Sequence, residues 1–155
     1  MKLTKLVLAA AIALTAPISM ADKKDPNLGL IKARKGEMQL RSFNAGPLFA
    51  MAKGKMEYDA ELAASAANNL KQLLSLDMGR SWAEGTANDN YKQTRSLPEI
   101  WTTYPEIVEY GKEYAEAVNA IAATAGDGVE ALQANVGALG KSCKGCHDTF
   151  RAKKK

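Results

Sequence analysis

The stretch from residue 129 to 150 reads VEALQANVGALGKSCKGCHDTF, and its apolar residues recur at steps of three or four. This spacing places them on one face of an α-helix. Near its end the face carries both cysteines and the single histidine of the chain. The stretch therefore predicts an amphipathic helix with a chemical site on its buried side. The face consists of Val129, Leu132, Val136, Leu139, Cys143, Cys146, His147 and Phe150.

Three more helices are predicted upstream, because Ala-rich segments with the same spacing recur and the alternation typical of strands is absent. The first covers about 26–53, with a kink expected at Gly46-Pro47 because the proline ring removes a backbone donor. The second, 59–76, starts at an aspartate that is a good N-cap. The third, 97–124, has a proline in its first turn and ends at an Ala-Gly-Asp-Gly segment.

Short joints connect these helices except for one long irregular connection at residues 77–96. Four helices of about 20 to 27 residues with such joints predict an all-α fold, the antiparallel up-down-up-down four-helix bundle. A long loop in a compact domain often covers a site. The inward stripe of the first helix is expected to contain Leu30, Ile31, Arg34, Met38, Arg41 and Ala45. Those of the second and third helices are expected to contain Leu62, Ala66, Leu70, Leu73 and Leu74, and Trp101, Tyr104, Val108, Ala115, Val118 and Ala122.

Residues 1–21 have the pattern of a cleaved signal peptide. Lys2 and Lys5 precede an apolar run from Leu6 to Leu14, and small residues stand at the positions before the expected cleavage after Ala21. A run of about ten apolar residues is half of the ~20 that a membrane-spanning helix needs. We therefore expect export to the periplasm, and a mature domain of residues 22–155 without a membrane anchor.

The composition excludes several classes of function. The 155 residues are 46% hydrophobic and 25% charged, an ordinary balance for one globular domain. A single histidine excludes bis-His haem and multi-His zinc centres. Loss of the two signal lysines lowers the formal charge from +4 to +2, which is too small a bias to indicate a nucleic-acid partner. No carboxylate pair, distal histidine or distal arginine of the peroxidase kind is recognisable, so no enzymatic activity is expected.

The sequence Cys143-Lys144-Gly145-Cys146-His147 is a c-type haem attachment motif. On a helix its first, fourth and fifth residues face the same side. Each thiol can add to one porphyrin vinyl group, and the adjacent imidazole can then bind the iron as an axial ligand. The motif thus predicts one covalently attached haem c with its iron.

Other interpretations of the motif fit less well. A redox dithiol normally lies at a helix N-terminus in a fold that contains strands, whereas this motif lies near a helix C-terminus. Zinc requires four ligands, and two cysteines with one histidine leave the site one short. Two cysteines and a histidine that only pack remain the simplest alternative, but export and the motif together favour haem.

Three segments of the chain resemble the cytochrome c prime (c') family, the class II bundle cytochromes of proteobacterial periplasms. They are the C-terminal GKSCKGCHDTFRAKK, the early ARKGEM and the middle GPLFAMAKGKMEYDA. The resemblance covers essentially the whole mature chain, and its most specific part is the attachment motif near the C-terminus.

The resemblance implies a role for several residues. Cys143 and Cys146 would hold the haem, and His147 would be the proximal iron ligand. Arg34 matches a first-helix arginine that reaches the haem propionates, and Lys35 follows it as a polar neighbour. An inward arginine is costly unless paired, and a carboxylate suits its planar fork, although Arg34 could instead extend to the surface. The remaining implied cofactor contacts, in the loop that closes one haem edge, are Thr86 and Thr94.

Met38 divides the expected function in two. It lies one turn after Arg34 and faces the expected haem pocket. In the family this position usually holds an apolar residue that crowds a five-coordinate iron, which leaves small gases such as nitric oxide and carbon monoxide as ligands. In some bundle relatives a first-helix methionine is instead the sixth ligand of a low-spin electron carrier. A thioether can serve either purpose, and we expect a five-coordinate iron with Met38 as a steric gate.

The expected partners are small diatomic gases, redox proteins and a second copy of the chain. Relatives are often homodimers joined through their first two helices. The second helix contains Ala63, Ala64, Ala66 and Ala67, whose small side chains would permit close approach of a partner helix. These alanines could equally express helix propensity alone.

Overall fold

The computed structural model describes residues 25–154, which form four long helices and two short ones. A single turn of 3-10 helix at Gly79–Trp82 and a one-turn α-helix lie in the connection between the second and third long helices. Within the described range no strand is present, and the only bridge pairs Ser96 with Arg151. The α-helices are α1 (Pro26–Ala52), α2 (Ala60–Leu73), α3 (Glu99–Thr102), α4 (Tyr104–Thr124) and α5 (Val129–Phe150).

The four long helices form a closed antiparallel bundle. α1 packs against α2 and α5, while α4 packs against α2 and α5. Neighbours in the chain are therefore neighbours in space, and α5 closes the ring against α1. This arrangement confirms the predicted all-α, up-down-up-down four-helix bundle.

The helices begin where local chemistry favours it. Asp25 precedes Pro26, and its carboxylate accepts a hydrogen bond of 2.9 Å from the backbone N–H of Asn27. Asp59 caps α2 by accepting 3.0 Å from the N–H of Leu62, as its N-cap position predicts. Both caps satisfy donors that the first helical turn leaves free.

The core is built from large apolar side chains on all four long helices, with several small ones on α2. Ala63, Ala66 and Ala67 are buried within this single chain. The prediction that the alanines of α2 face a second subunit is therefore wrong for these three, because their small size is used to bring α2 close to its neighbours in the same bundle. The large buried side chains around them are Leu48, Met51, Leu70, Val118, Ile121, Leu132 and Leu139.

Prolines act differently in two of the helices. α1 continues through Pro47 to Ala52, close to its predicted end, and the kink expected at Gly46-Pro47 stays a prediction. The carbonyl one turn earlier belongs to Phe43, which is exposed, so water can take the place of the donor that proline lacks. The third predicted helix is split at Thr103, whose φ of −116° and ψ of 42° separate α3 from α4. Pro105 follows, and its ring would clash with a carbonyl in a continuous helix.

Several side chains expected in the core are exposed instead. Leu62 and Tyr104 lie on the outside of α2 and α4, and α2 ends at Leu73, earlier than the predicted 76. The buried residues of α4 include Tyr114 and Ile121, which the predicted stripe omitted. The predicted signal peptide, 1–21, lies outside the described residues. Among the described helices, none is both long and apolar enough to cross a membrane.

Candidate functional site: a cavity at the attachment motif

One end of the bundle encloses a cavity of about 910 Å³. Its walls are α1, α4, α5 and the long connection between α2 and α4. The predicted irregular loop does cover this cavity, with Met78, Trp82 and residues 92–96 on the wall. The apolar part of the wall includes Phe49, Leu74, Ile100, Ile107, Leu139 and Phe150.

The attachment motif lies on the α5 wall of this cavity. Cys143, Cys146 and His147 all contact it, and each side chain is partly buried. Both cysteines are free thiols. The intervening Lys144 forms an ion pair with Asp148 on the exposed face of α5. Helical spacing thus separates the motif into a reactive inner face and a solvated outer face.

The surroundings shift the proton affinities of the motif. Burial raises the pKa of the Cys143 and Cys146 thiols, and the nearby Arg41 guanidinium opposes this rise. Burial lowers the pKa of His147, and the positive charges of Arg151 and Arg95 lower it further. These effects favour the neutral imidazole, which is the form that binds a metal.

Arg34 is only 2% exposed, and both of its terminal nitrogens bind the long loop, while its buried Nε has no hydrogen-bond partner among the described residues. One terminal nitrogen donates to Thr86 Oγ1 at 2.6 Å and to the Ser81 carbonyl at 3.2 Å. The other donates to the Thr86 carbonyl at 2.5 Å and to Thr94 Oγ1 at 3.2 Å. The guanidinium also lies over the ring of Trp82, 5.0 Å from its centroid. Arg34 therefore fastens the loop over the cavity, and it does not extend to the surface.

Of the other polar residues expected to contact the cofactor, two line the cavity and one does not. Thr94 and Lys35 line the cavity, and Lys35 Nζ donates to the Gln93 carbonyl at 3.0 Å. Thr86 is fully buried behind Arg34 and is not part of the cavity wall. Its hydroxyl donates to the Ala83 carbonyl at 2.6 Å while it accepts from Arg34. In this structure the Thr86 hydroxyl supports Arg34, and the direct cofactor contact expected of Thr86 stays a prediction.

Met38 is partly buried and lines the cavity from α1, as predicted. It lies one helical turn after Arg34. Both side chains line the cavity, but the Arg34 guanidinium is bound to the loop. A thioether at this place can fill space or donate a lone pair to a metal.

Glu37 and Arg41 are two cavity residues whose pairing the sequence did not reveal. Glu37 is 5% exposed and forms an ion pair with Arg41, four residues later. The Arg41 guanidinium lies 4.5 Å from the centroid of the buried Tyr114 ring. Opposite charges four apart on an inward stripe were the available signal, since such residues are neighbours on a helix.

The residues present fit a haem c. Two thiols and a neutral imidazole share one helix face, and the cavity beside them is largely apolar and of the size typical of cofactor pockets. Basic side chains, Lys35 and Arg95 among them, stand on its wall and suit carboxylate groups of a porphyrin. A bundle of this kind with this donor set defines a c-type cytochrome built on four helices.

Comparison with known proteins identifies the family. A model of the family described as Cytochrome C' matches residues 29–151. A cytochrome c' of Cereibacter sphaeroides is 41% identical over 125 residues, which are 81% of this chain and 84% of that protein. A cytochrome c-554 of the same species is 32% identical over 146 residues, 94% of this chain and 95% of that protein. The chain belongs to the cytochrome c' family and carries one covalently attached haem c.

Solved structures agree with this assignment. A cytochrome c' from Rhodobacter Spheriodes superposes with a TM-score of 0.81 at 40% identity and covers 83% of this chain and 98% of that one. A ferrous variant of cytochrome c prime from Alcaligenes xylosoxidans with bound NO superposes with a TM-score of 0.71 at 26% identity, covering 83% and 97%. The bundle fold is thus that of the family.

Proposed function

We propose that this chain is a periplasmic cytochrome whose five-coordinate haem iron binds nitric oxide and carbon monoxide and exchanges single electrons. The observation that carries the proposal is the composition of the cavity wall. His147 is the only histidine of the chain, so Met38 is the one soft ligand on the opposing helix that could compete for the sixth position. A largely apolar wall favours small neutral ligands over charged ones.

Each motif residue has a defined part in this proposal. Cys143 and Cys146 hold the haem through thioether bonds, and His147 supplies the proximal nitrogen. When bound, the haem provides an iron centre that changes by one electron and accepts a diatomic ligand. Lys35 and Thr94 line the cavity and would contact polar groups of a bound haem, and Arg34 holds the loop that covers the cavity.

Met38 acts as a steric gate in the proposed function. Its flexible side chain lines the α1 wall of the cavity, where it would narrow the space open to an incoming ligand. The neighbouring polar groups do not compete for this space, since the Glu37 carboxylate is bound to Arg41 and the Arg34 guanidinium is bound to the loop. We propose ligand binding and electron exchange at this cavity, and we do not propose catalytic turnover of a substrate.

A low-spin electron carrier with Met38 as the sixth ligand is the second candidate. The thioether of Met38 on the cavity wall favours this second candidate, because a residue with a purely steric role needs no sulfur. The two candidates differ in spin state, which a visible spectrum of the ferrous protein reports.

Replacement of Met38 by Ala separates the two candidates. If Met38 is a gate, the ferrous iron is high-spin before and after the change. Carbon monoxide then binds roughly tenfold faster, because a steric barrier of about 1.4 kcal/mol has been removed. Met78→Ala is the matched control, since Met78 lines the cavity from the loop. Stopped-flow spectroscopy measures the rates. A sharp low-spin wild-type spectrum that Met38→Ala converts to high-spin would establish the electron carrier instead.

The proposed location rests on the predicted signal peptide and on the attachment of c-type haem outside the cytoplasm.

We also propose a homodimer, formed through the outer face of α1 and α2. Phe43 is 78% exposed, and Leu40 and Leu62 are exposed as well. Leu40 and Phe43 are three residues apart and therefore share one side of α1. One structure of a related cytochrome c' is described as having an unusual ligand-controlled dimer dissociation, so that relative forms a dimer.

A further inference from the structure

The mouth of the cavity carries cations from three separate segments of the chain. Lys35 comes from α1, Lys92 and Arg95 come from the long loop, and Arg151 follows α5. Among the described residues that line the cavity, Glu37 is the only carboxylate, and it is already paired with Arg41. We call the four cations at the mouth of the cavity the rim. The rim is therefore positive, although the whole chain has a formal charge of only +4.

Backbone contacts hold these cations together. The Leu97 N–H donates to the Phe150 carbonyl at 3.0 Å, and the Ala152 N–H donates to the Arg95 carbonyl at 2.9 Å. These bonds pair the loop with the segment after α5. The ammonium of Lys35 reaches the same loop through its bond to the Gln93 carbonyl. Like charges repel, so their fixed proximity is a cost that the fold accepts at this place.

The cations have no carboxylate partner in the described part of the chain. Its three ion pairs are Glu37 with Arg41, Glu109 with Lys112, and Lys144 with Asp148. A haem c bears two propionate groups, and these can neutralise at most two of the four rim cations. Because Lys92 is exposed and makes no side-chain hydrogen bond here, a net positive charge is left facing solvent.

We propose that this rim is the docking surface for a redox protein that carries an acidic patch around its own redox centre. The inference rests on the proposed electron exchange and names the chemistry of the partner. An acidic surface would be attracted to the positive rim of the cavity that would hold the haem. Such steering raises association rates by 10- to about 1,000-fold and weakens as salt shortens the screening length.

The field at the rim can be tested with small redox reagents on the haem-loaded protein. Ferrous protein gives one electron to ferricyanide, which becomes ferrocyanide, or to tris(phenanthroline)cobalt(III), which becomes the cobalt(II) complex. The first reagent is an anion and the second a cation. We expect the rate with ferricyanide to fall with rising ionic strength, and the rate with the cobalt complex to rise.

Charge reversal locates the effect on the molecule. Lys92→Glu should slow the ferricyanide reaction at low salt by at least about threefold. Lys55→Glu is the matched control, because Lys55 is exposed in the turn after α1, about 25 Å further along that helix than Lys35. At the same ionic strength it should change the rate by far less, since most of its field is screened over that distance.

An acidic polymer tests docking of a macromolecule. Poly-L-glutamate should bind the wild-type protein at low salt and slow its reaction with ferricyanide, and Lys92→Glu should weaken this inhibition. Equal salt dependence for both reagents, or an unchanged rate in Lys92→Glu with a normal haem spectrum, would overturn the inference. So would association of the wild type with anionic lipid vesicles but not with poly-L-glutamate. Failure of carbon monoxide to bind would instead count against the proposed gas binding and leave these rates unaffected.

Discussion

Arg34 brings a guanidinium into the interior of the bundle, and it takes part in none of the ion pairs among residues 25–154. Its burial lowers its pKa, but an arginine side chain stays protonated in proteins. The charge is stabilised by carbonyl and hydroxyl oxygens of Ser81, Thr86 and Thr94 and by the rings of Trp82 and Trp101. A single side chain thereby connects α1 to the loop that covers the cavity.

Replacing Arg34 with Met should therefore cost about 3 to 5 kcal/mol of unfolding free energy, because several buried acceptors lose their donor. Denaturant unfolding of the haem-loaded protein measures the loss. Lys32→Met is the control, since Lys32 lies on the same helix but is exposed, and it should change stability by less than about 0.5 kcal/mol. A loss below about 1 kcal/mol for Arg34→Met would show that the loop closes without this residue.

Tyr114 and Tyr58 provide a second test at the level of single residues. The Tyr114 hydroxyl is buried and has no hydrogen-bond partner among residues 25–154, whereas the Tyr58 hydroxyl donates to the Ala125 carbonyl and accepts from the Gly128 N–H. Tyr114→Phe should leave stability at neutral pH within about 0.5 kcal/mol or raise it. Tyr58→Phe should cost about 1 to 2 kcal/mol. Thermal unfolding compares the two, and equal losses would contradict this.

Tyr114→Phe and the wild type should also differ in how their stability depends on pH. Burial raises the pKa of Tyr114 to about 12. The unfolded chain can ionise this phenol near pH 10, but the folded chain cannot, so wild-type stability should fall as pH rises between about 10 and 12. Tyr114→Phe should lose less stability than the wild type over this range. Parallel curves for the two proteins would show that the phenol titrates normally.

At the scale of secondary structure, the turn between α4 and α5 depends on one glycine. Gly128 has φ 130° and ψ 163°, a conformation that is almost confined to glycine, and it stands at the N-cap of α5. This turn fixes the start of the helix that carries the attachment motif. Its geometry is therefore transmitted along α5 to the far end of the bundle.

Gly128→Ala should destabilise the protein by about 1 to 3 kcal/mol through backbone strain. Gly137→Ala is the matched control within α5. Gly137 is exposed, and no atom lies within 4 Å of an added Cβ, so the change should stabilise the helix by about 0.5 to 1 kcal/mol. Chemical denaturation of both variants measures the difference. An equal effect of the same sign would refute the strain at Gly128.

At the scale of the whole molecule, the exposed apolar face of α1 should control the association state. Phe43→Asp should convert the proposed dimer to a monomer at micromolar concentration. The new carboxylate would be buried without a partner in the proposed interface between the two subunits. Sedimentation velocity measures the change. Tyr104→Asp is the control, since Tyr104 is also exposed but lies on α4, and it should leave the dimer intact. A wild-type monomer, or loss of the dimer in both variants, would remove this face as the interface.

The sequence by itself determined the bundle, the helix that carries the site and the chemistry of that site. Apolar spacing of three and four residues defines a buried helix face, and Cys143, Cys146 and His147 meet through the geometry of one helix. The N-cap at Asp59 was also predictable, because its partner is three residues away. All of these depend on contacts within a few residues, which helical periodicity fixes.

Only the tertiary structure decided how distant residues are used. The resemblance implied a cofactor carboxylate as the partner of Arg34, and this stays a prediction, but the sequence did not show that Arg34 also binds a loop that begins more than 40 residues later. The sequence left the alanines of α2 open between a contact with a second subunit and helix propensity alone, and three of them fill the core of the same chain. Neither outcome follows from periodicity, because a buried donor or a small side chain is satisfied by whichever partner the packing of helices and loops brings to it.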